Sequence, residues 1–390
     1  MPISKYLPTF AAQKRNQMRK LILLFLSVAI LPSCSAKCGS SSSSDMYPNA
    51  DSGIVDDNAT DSLTILFAGD MMQHDNQIRT AAVAGGFDYS DCFAFVKDQV
   101  EAADIAIANL EVTLGGKPYA GFPRFSAPDE YAKAIQDAGF DVLTTTNNHC
   151  CDTGSRGLGR TLQVLDSLGI PSLGTYRNAD DRAGRYPLMV EKNGFRLALL
   201  AYTYATNGLP VPQPYVVNLI DTVQIKQDIE RAKAMNPDVI IAFMHWGIEY
   251  SLTPSNTQRW QAEWLLSHGV DHVIGSHPHV VQPIELRDSS HLVVWSLGNF
   301  ISNMTKGTTY GGLMVTLKLT KKQQKTAVND ASYSLIWTSR PAVSGHRTHR
   351  VYPIDVPDSL LNIKERSMRD VFSRTARNLF NKYNKVVKEQ

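Results

Sequence analysis

The stretch Leu63-Thr64-Ile65-Leu66-Phe67-Ala68-Gly69-Asp70 is a nearly unbroken apolar run of strand length that stops at a glycine and then a carboxylate. A continuous run of this kind suits a strand buried on both faces. The pattern recurs downstream. Residues 104–108 lead into Asn109, Leu110 and Glu111, and residues 142–146 into Asn147, Asn148 and His149. Residues 239–243 lead to His245, and residues 272–274 to His277. Further runs span 195–201 and 292–295, the latter entering Ser296, Leu297, Gly298 and Asn299.

Between these runs lie amphipathic stretches. Helices are predicted over 92–102, over 128–138 with Gly139 as the stop, and over 257–268 with Gly269 as the stop. Alternating strands and helices predict an α/β domain. In such sheets ligands collect beyond the carboxyl ends of the strands, so the polar residues that follow five of the runs are expected at one rim of one sheet. Later segments, 312–319, 331–338 and 348–352, read as antiparallel strands completing a second sheet. The tail from Ser359 to about Val387 has helical spacing, with an apolar face for docking and a basic face carrying Lys364, Arg369 and Arg377.

The N-terminus reads as an export signal. Arg19 and Lys20 precede the apolar run 21–31, too short to span a bilayer as a mature helix but suited to a secretory leader. Leu31-Pro32-Ser33-Cys34 and the following serine tract resemble a bacterial lipoprotein signal, which marks Cys34 as the lipidated residue and leaves Pro32 as an imperfect fit. Ordinary cleavage to a soluble exported chain, or an uncleaved anchor, are the other readings, and Met18 competes with Met1 as the start. The expected organisation is a leader over 1–33, a disordered Ser/Asp-rich linker over 34–62, a catalytic domain over 63–356 and a C-terminal amphipathic helix over 357–390. The expected location is extracytoplasmic, anchored by lipid to a bacterial membrane.

Five basic residues and no acidic one fall within 1–33, so removing that leader takes the formal net charge from +2 to −3. Nucleic-acid binding needs a basic stripe along a groove, and nothing here provides one. The five cysteines, Cys34, Cys38, Cys92, Cys150 and Cys151, have no zinc-knuckle spacing and force no disulfide.

Hydrolysis at neutral pH needs an activated water and neutralisation of charge on the transferring group. Two divalent ions about 3.5–4 Å apart provide both. Asp70 and Glu111 offer carboxylates, Asn148 a neutral oxygen, and His245, His277 and His279 imidazoles. That mixture suits Mn, Zn or Fe better than Mg or Ca. His277-Pro278-His279 is expected to be extended, which would place both imidazoles on one face. Glu249 reads as a neighbour of the site or a substrate contact. Arg124, in the loop Phe122-Pro123-Arg124-Phe125, is a candidate for binding a carboxylate or phosphate.

Taken together, Ala68-Gly69-Asp70-Met71-Met72-Gln73-His74, Asn109-Leu110-Glu111, Asn147-Asn148-His149 with Asp152 and Gly154, His245-Trp246-Gly247-Ile248-Glu249-Tyr250, Gly275-Ser276-His277-Pro278-His279 and Ser296-Leu297-Gly298-Asn299-Phe300 resemble the CapA family. These are bacterial poly-gamma-glutamate or capsule biosynthesis proteins within the calcineurin-like metallophosphoesterase superfamily, and the similarity covers roughly residues 63–320. The resemblance implies a four-layer α-β-β-α sandwich with the metal site at one sheet edge. It implies Asp70 and His279 on a first metal, Asn148, His245 and His277 on a second, and Glu111 bridging them. His149 would be the proton donor, oriented by Asp152. Met72 stands where the superfamily has a histidine, with His74 as a possible replacement, and Asn109 and Asn299 would be ligands or neighbours of ligands. The implied activity is a metal-dependent hydrolase acting on an anionic envelope polymer or phosphoester. The alternative is a non-catalytic polymer-binding or export component with a vestigial metal site.

Overall fold

The computed structural model describes residues 60–390. The leader, Cys34 and all but the last three linker residues lie outside the described residues. The first strand is Asp61–Met71, beginning two residues before Leu63, with Asp61 paired to Lys321 and Ser62 to Thr320.

Two large sheets pack face to face. The first has the order Arg350–Pro353, Lys325–Ser339, Gly311–Lys322, Asp61–Met71, Ile105–Leu110, Val142–Thr144 and Ser172–Leu173. Asn299–Ile301 pairs beside Asp61–Met71, and Lys388–Glu389 beside Lys325–Ser339. The second sheet runs Ile284–Arg287, His291–Val294, His272–Ser276, Val239–His245, Phe195–Thr203 and Leu188–Lys192.

Side-chain alternation along Asp61–Met71 explains the layering. Leu63, Ile65 and Phe67 point into the core shared with the second sheet, where the Phe67 and Phe243 ring centroids lie 5.9 Å apart. Leu66 and Ala68 point the other way, onto Tyr131, Ala132, Ile135 and Leu165 of the helices Asp129–Asp137 and Gly154–Leu168. The second sheet is apolar on both faces because the helices Thr222–Ala234 and Asn256–Ser267 cover its outer side with Ile225, Ile229, Ala262 and Leu265. Helix, sheet, sheet, helix is the layer order that the resemblance implies.

Three local expectations change. The segments beyond Gly311 do not complete a second sheet: Gly311–Lys322 pairs antiparallel with Asp61–Met71, so they widen the first sheet. The helix expected over 92–102 is a turn of Ser90–Cys92 followed by the short helix Lys97–Glu101. The C-terminal helix is Ile363–Tyr383, and the chain after it adds a two-residue strand. That helix docks through Met368, Phe372, Ala376 and Phe380, with the Phe380 ring 4.8 Å from Tyr333, and Arg377 on its other face pairs with Glu389. No helix among the described residues is long and apolar enough to cross a membrane.

Candidate metal centre

Both sheets deliver side chains to one place, where a single sheet was expected. Asp70 ends Asp61–Met71, and Glu111 directly follows Ile105–Leu110. Asn148 and His149 occupy the turn after Val142–Thr144. From the second sheet, His245 ends Val239–His245, and His277 and His279 follow His272–Ser276. All seven side chains are buried.

Glu111 is the hub. Donor atoms of Asp70, Glu111 and His245 lie within 4.8 Å of one another, and so do those of Glu111, His277 and His279. Its Oε1 stands 3.5 Å from His245 Nε2 and 3.9 Å from His279 Nε2. Among the described residues neither of its oxygens receives a hydrogen bond, and His277 Nδ1 is likewise buried without a partner. Asp70 Oδ2 is 3.5 Å from His279 Nδ1.

Burial pushes the Glu111 carboxyl well above its usual range, and the charge of Asp70 adds to the shift. Burial also raises Asp70, but the nearby imidazoles of His279 and His245 and the amide of Asn109 outweigh this and hold it at about 2. Burial depresses His245 well below the imidazole range, and burial with His279 beside it takes His277 to about 3. An ionised, unpaired carboxylate in such a place costs several kcal/mol, and neutral imidazoles do not balance it. A divalent cation does, and the mixed oxygen and imidazole donors fit one.

Asparagines fix the geometry around these groups. Asn109 Nδ2 donates to Asp70 Oδ1 at 2.8 Å, while its Oδ1 accepts from Thr144 Oγ1 and Asn147 Nδ2. Asn109 therefore holds Asp70 rather than joining the cluster. Asn299 does the same for His279, whose Nδ1–H donates to Asn299 Oδ1 at 3.0 Å. That leaves Nε2 free for a metal, the usual arrangement of a ligating histidine. Asn148 Oδ1 accepts from His245 Nε2 at 2.8 Å, and Asn148 Nδ2 donates to Asn207 Oδ1.

The His277-Pro278-His279 segment is not extended. His277 has φ 100° and His279 φ 57°, so left-handed turns bring the two ring centroids to 6.0 Å. Positive φ at non-glycine residues stores strain of order ~1–3 kcal/mol each and clusters at functional sites.

His149 Nδ1–H donates to Asp152 Oδ2 at 2.7 Å, and the same oxygen accepts the Phe125 backbone N–H at 2.7 Å. His149 Nε2 is left for exchange. The Phe125 ring packs edge-on against His149 at 4.6 Å and His74 at 5.4 Å. His74 is held by Gln77, whose Oε1 accepts the His74 backbone N–H at 2.8 Å, and its Nδ1 accepts the Asn303 backbone N–H at 3.3 Å. It falls outside the two carboxylate and histidine groups. Glu249 is exposed, as is Arg124 on the loop beside Phe125.

Sequence reasoning missed Asn207, Phe125 and Asn303. Phe125 sits in the loop quoted for Arg124 and could have been weighed. Asn207 and Asn303 carry no local signal, since only folding brings their loops to the site.

A family model described as "Bacterial capsule synthesis protein PGA_cap" matches residues 64–304. Capsule biosynthesis protein CapA of Bacillus anthracis is 29% identical over 61% of this chain and 59% of its own length. PGA biosynthesis protein CapA of Bacillus subtilis is 27% identical over 62% of this chain and 63% of its own. The match thus spans about six tenths of each relative. Among solved structures, calcineurin-like phosphoesterase YfkN from Bacillus subtilis aligns with 84% of this chain and 100% of its own at TM-score 0.43 and 13% identity.

Proposed function

Because the chain belongs to the bacterial capsule synthesis protein PGA_cap family, we propose that it is a metal-dependent hydrolase of the bacterial cell envelope, acting on a phosphoester or amide bond of an anionic polymer or its precursor. The observation that carries this reading is Glu111: a fully buried carboxylate, both oxygens without a hydrogen-bond partner among the described residues, set among Asp70 and the imidazoles of His245, His277 and His279.

Asp70, Glu111, Asn148, His245, His277 and His279 would hold the metal, two divalent ions of the Mn, Zn or Fe kind with Glu111 shared. When bound, such ions supply Lewis acidity and an activated water at neutral pH. Asn109 and Asn299 keep Asp70 and His279 from rotating away. Asp152 accepts the Nδ1–H of His149, so a second proton taken up on Nε2 makes the imidazolium, and that Nε2 proton is the one that would pass to the leaving group. Burial of the cluster excludes bulk water and strengthens each of these interactions. The lipoprotein-like segment ending in Cys34 would tether the enzyme to the outer side of a bacterial membrane, within reach of such a polymer.

The test is a turnover assay of the full chain, stripped with a chelator and reloaded with Mn or Zn, on bis(p-nitrophenyl) phosphate and on a γ-linked glutamate polymer. Metal-dependent hydrolysis of either is expected, with His149→Ala losing about 10²–10⁴-fold while retaining its metal. A metal-loaded chain that turns over neither substrate contradicts catalysis and leaves a polymer-binding role.

A further inference from the structure

Four large apolar side chains stay exposed on loops around the acid and imidazole cluster: Phe122 at 68%, Tyr204 at 45%, Ile248 at 62% and Tyr250 at 39%. Isolated exposed apolar residues need no explanation, but a group rimming a polar centre marks a binding surface. The rings reach the cluster at three points. Tyr204 lies 4.6 Å from the His277 ring and Tyr250 6.3 Å from the His279 ring. Phe122 lies 6.4 Å from Phe125, the ring that packs on His149.

These rings are not loosely placed. The Tyr204 backbone N–H donates to the His245 carbonyl at 3.0 Å, and that of Tyr250 to the Pro278 carbonyl at 2.8 Å. Gly121 N–H, next to Phe122, donates to Asp75 Oδ1. Each loop is therefore anchored to a segment that builds or borders the cluster. Charge is supplied beside the rings. Lys306 Nζ stands 3.6 Å above the Tyr250 ring, and Lys306 and Arg124 are both exposed and form no ion pair among the described residues. Glu249 is exposed between Ile248 and Tyr250 on the same loop.

We infer that this rim binds the organic half of the substrate, and that this half carries a hydroxylated ring: the substrate is a glycosyl or nucleoside phosphoester and not an acyclic one. Aromatic faces take a ring face by stacking and C–H contact. Glu249 accepts ring hydroxyls, and Lys306 and Arg124 take further negative charge. A bare acidic peptide or a glycerol phosphate would leave the aromatic surfaces uncovered. This rests on the metallohydrolase reading, since the phosphoryl group must sit at the acid and imidazole cluster for the ring to reach the rim.

The experiment measures dissociation constants by calorimetry on the Mn-loaded full chain for inorganic phosphate, glycerol 1-phosphate, glucose 1-phosphate and adenosine 5′-monophosphate. At least one ring-bearing phosphate is expected to bind about five- to tenfold more tightly than glycerol 1-phosphate. Tyr250→Ala and Phe122→Ala should each remove about two- to tenfold of that gain, Tyr250→Phe should retain most of it, and none should change the Mn affinity. The glucose and adenosine arms separate a saccharide from a nucleoside. Phosphate binding without ring preference, or ring preference untouched by both alanine variants, overturns the rim and leaves the metallohydrolase reading standing. A chain that binds neither Mn nor phosphate overturns both.

Discussion

Asp152 Oδ2 accepts two hydrogen bonds at 2.7 Å, one from His149 Nδ1 and one from the Phe125 backbone N–H. The first fixes the tautomer of a buried imidazole; the second ties that imidazole to the loop bearing Phe122 and Arg124. Asp152→Asn keeps the shape but can present an amide N–H to His149 Nδ1, which favours the wrong tautomer. Turnover is expected to fall about 10²-fold or more with metal content unchanged, as read by steady-state kinetics beside elemental analysis. Loss of metal in Asp152→Asn would instead make Asp152 part of the metal cage.

Glu111→Gln should move two properties in opposite directions. In the metal-free chain a raised carboxyl pKa means that stability is fully present below the unfolded value of 4.5 and lost as pH rises toward the folded value. Replacing it with a neutral isostere should therefore make the metal-free chain more stable at neutral pH, by about 1–3 kcal/mol, the usual scale for an unpaired buried polar group. Metal affinity should drop by at least the roughly 10–100-fold typical of supporting residues. Denaturant melts with and without Mn distinguish this from a purely structural glutamate, for which both stabilities would fall.

His272 gives a pH dependence away from the cluster. It is buried, its Nδ1 accepts the Leu292 N–H at 3.1 Å, and burial holds its pKa at about 3 against 6.5 for an ordinary imidazole. A depressed histidine contributes stability that is present above 6.5 and lost as pH falls toward 3. The wild-type unfolding free energy should decline in that window by up to ~1.4 kcal/mol per pH unit from this group. His272→Asn should show a shallower decline; an unchanged slope would mean that His272 is charged or exposed in the folded chain.

Gly69 precedes Asp70, and a Cβ there would lie 2.0 Å from the Gly298 carbonyl oxygen, which accepts the Asp70 N–H at 2.9 Å. Gly69→Ala must push the segment around Asn299 away from Asp61–Met71. Since Asn299 orients His279, the expected result is a destabilisation of a few kcal/mol, about 2–4, together with weakened metal binding. Full retention of both would place the contact elsewhere.

Much of this was legible in the sequence because strand ends are local. Apolar runs broken by glycine, asparagine or histidine mark Asp70, Glu111, Asn148, His245 and His277, since burial on both faces leaves a periodicity-free apolar signature. Sheet membership was not legible. Residues 315–319 alternate like any half-buried strand, and nothing in them says that the partner is Asp61–Met71 and not a strand of the other sheet. The His277-Pro278-His279 geometry was misread because period-2 logic holds only for extended backbone, and the histidines adopt positive φ. Asn207 and Asn303 act through contacts more than 50 residues apart in sequence, with Asn148 in one case and His74 in the other, for which composition carries no trace.

The central proposition is that Asp70, Glu111, Asn148, His245, His277 and His279 enclose shared cations. Anomalous diffraction from crystals of the chain grown with Mn or Zn tests it most directly. The account predicts two anomalous peaks within coordination distance of these side chains, about 2.0–2.3 Å for imidazole nitrogen and carboxylate oxygen, with Glu111 touching both. Metal bound elsewhere, or a cluster that stays empty at saturating metal while Glu111 takes a protein hydrogen-bond partner, would contradict it.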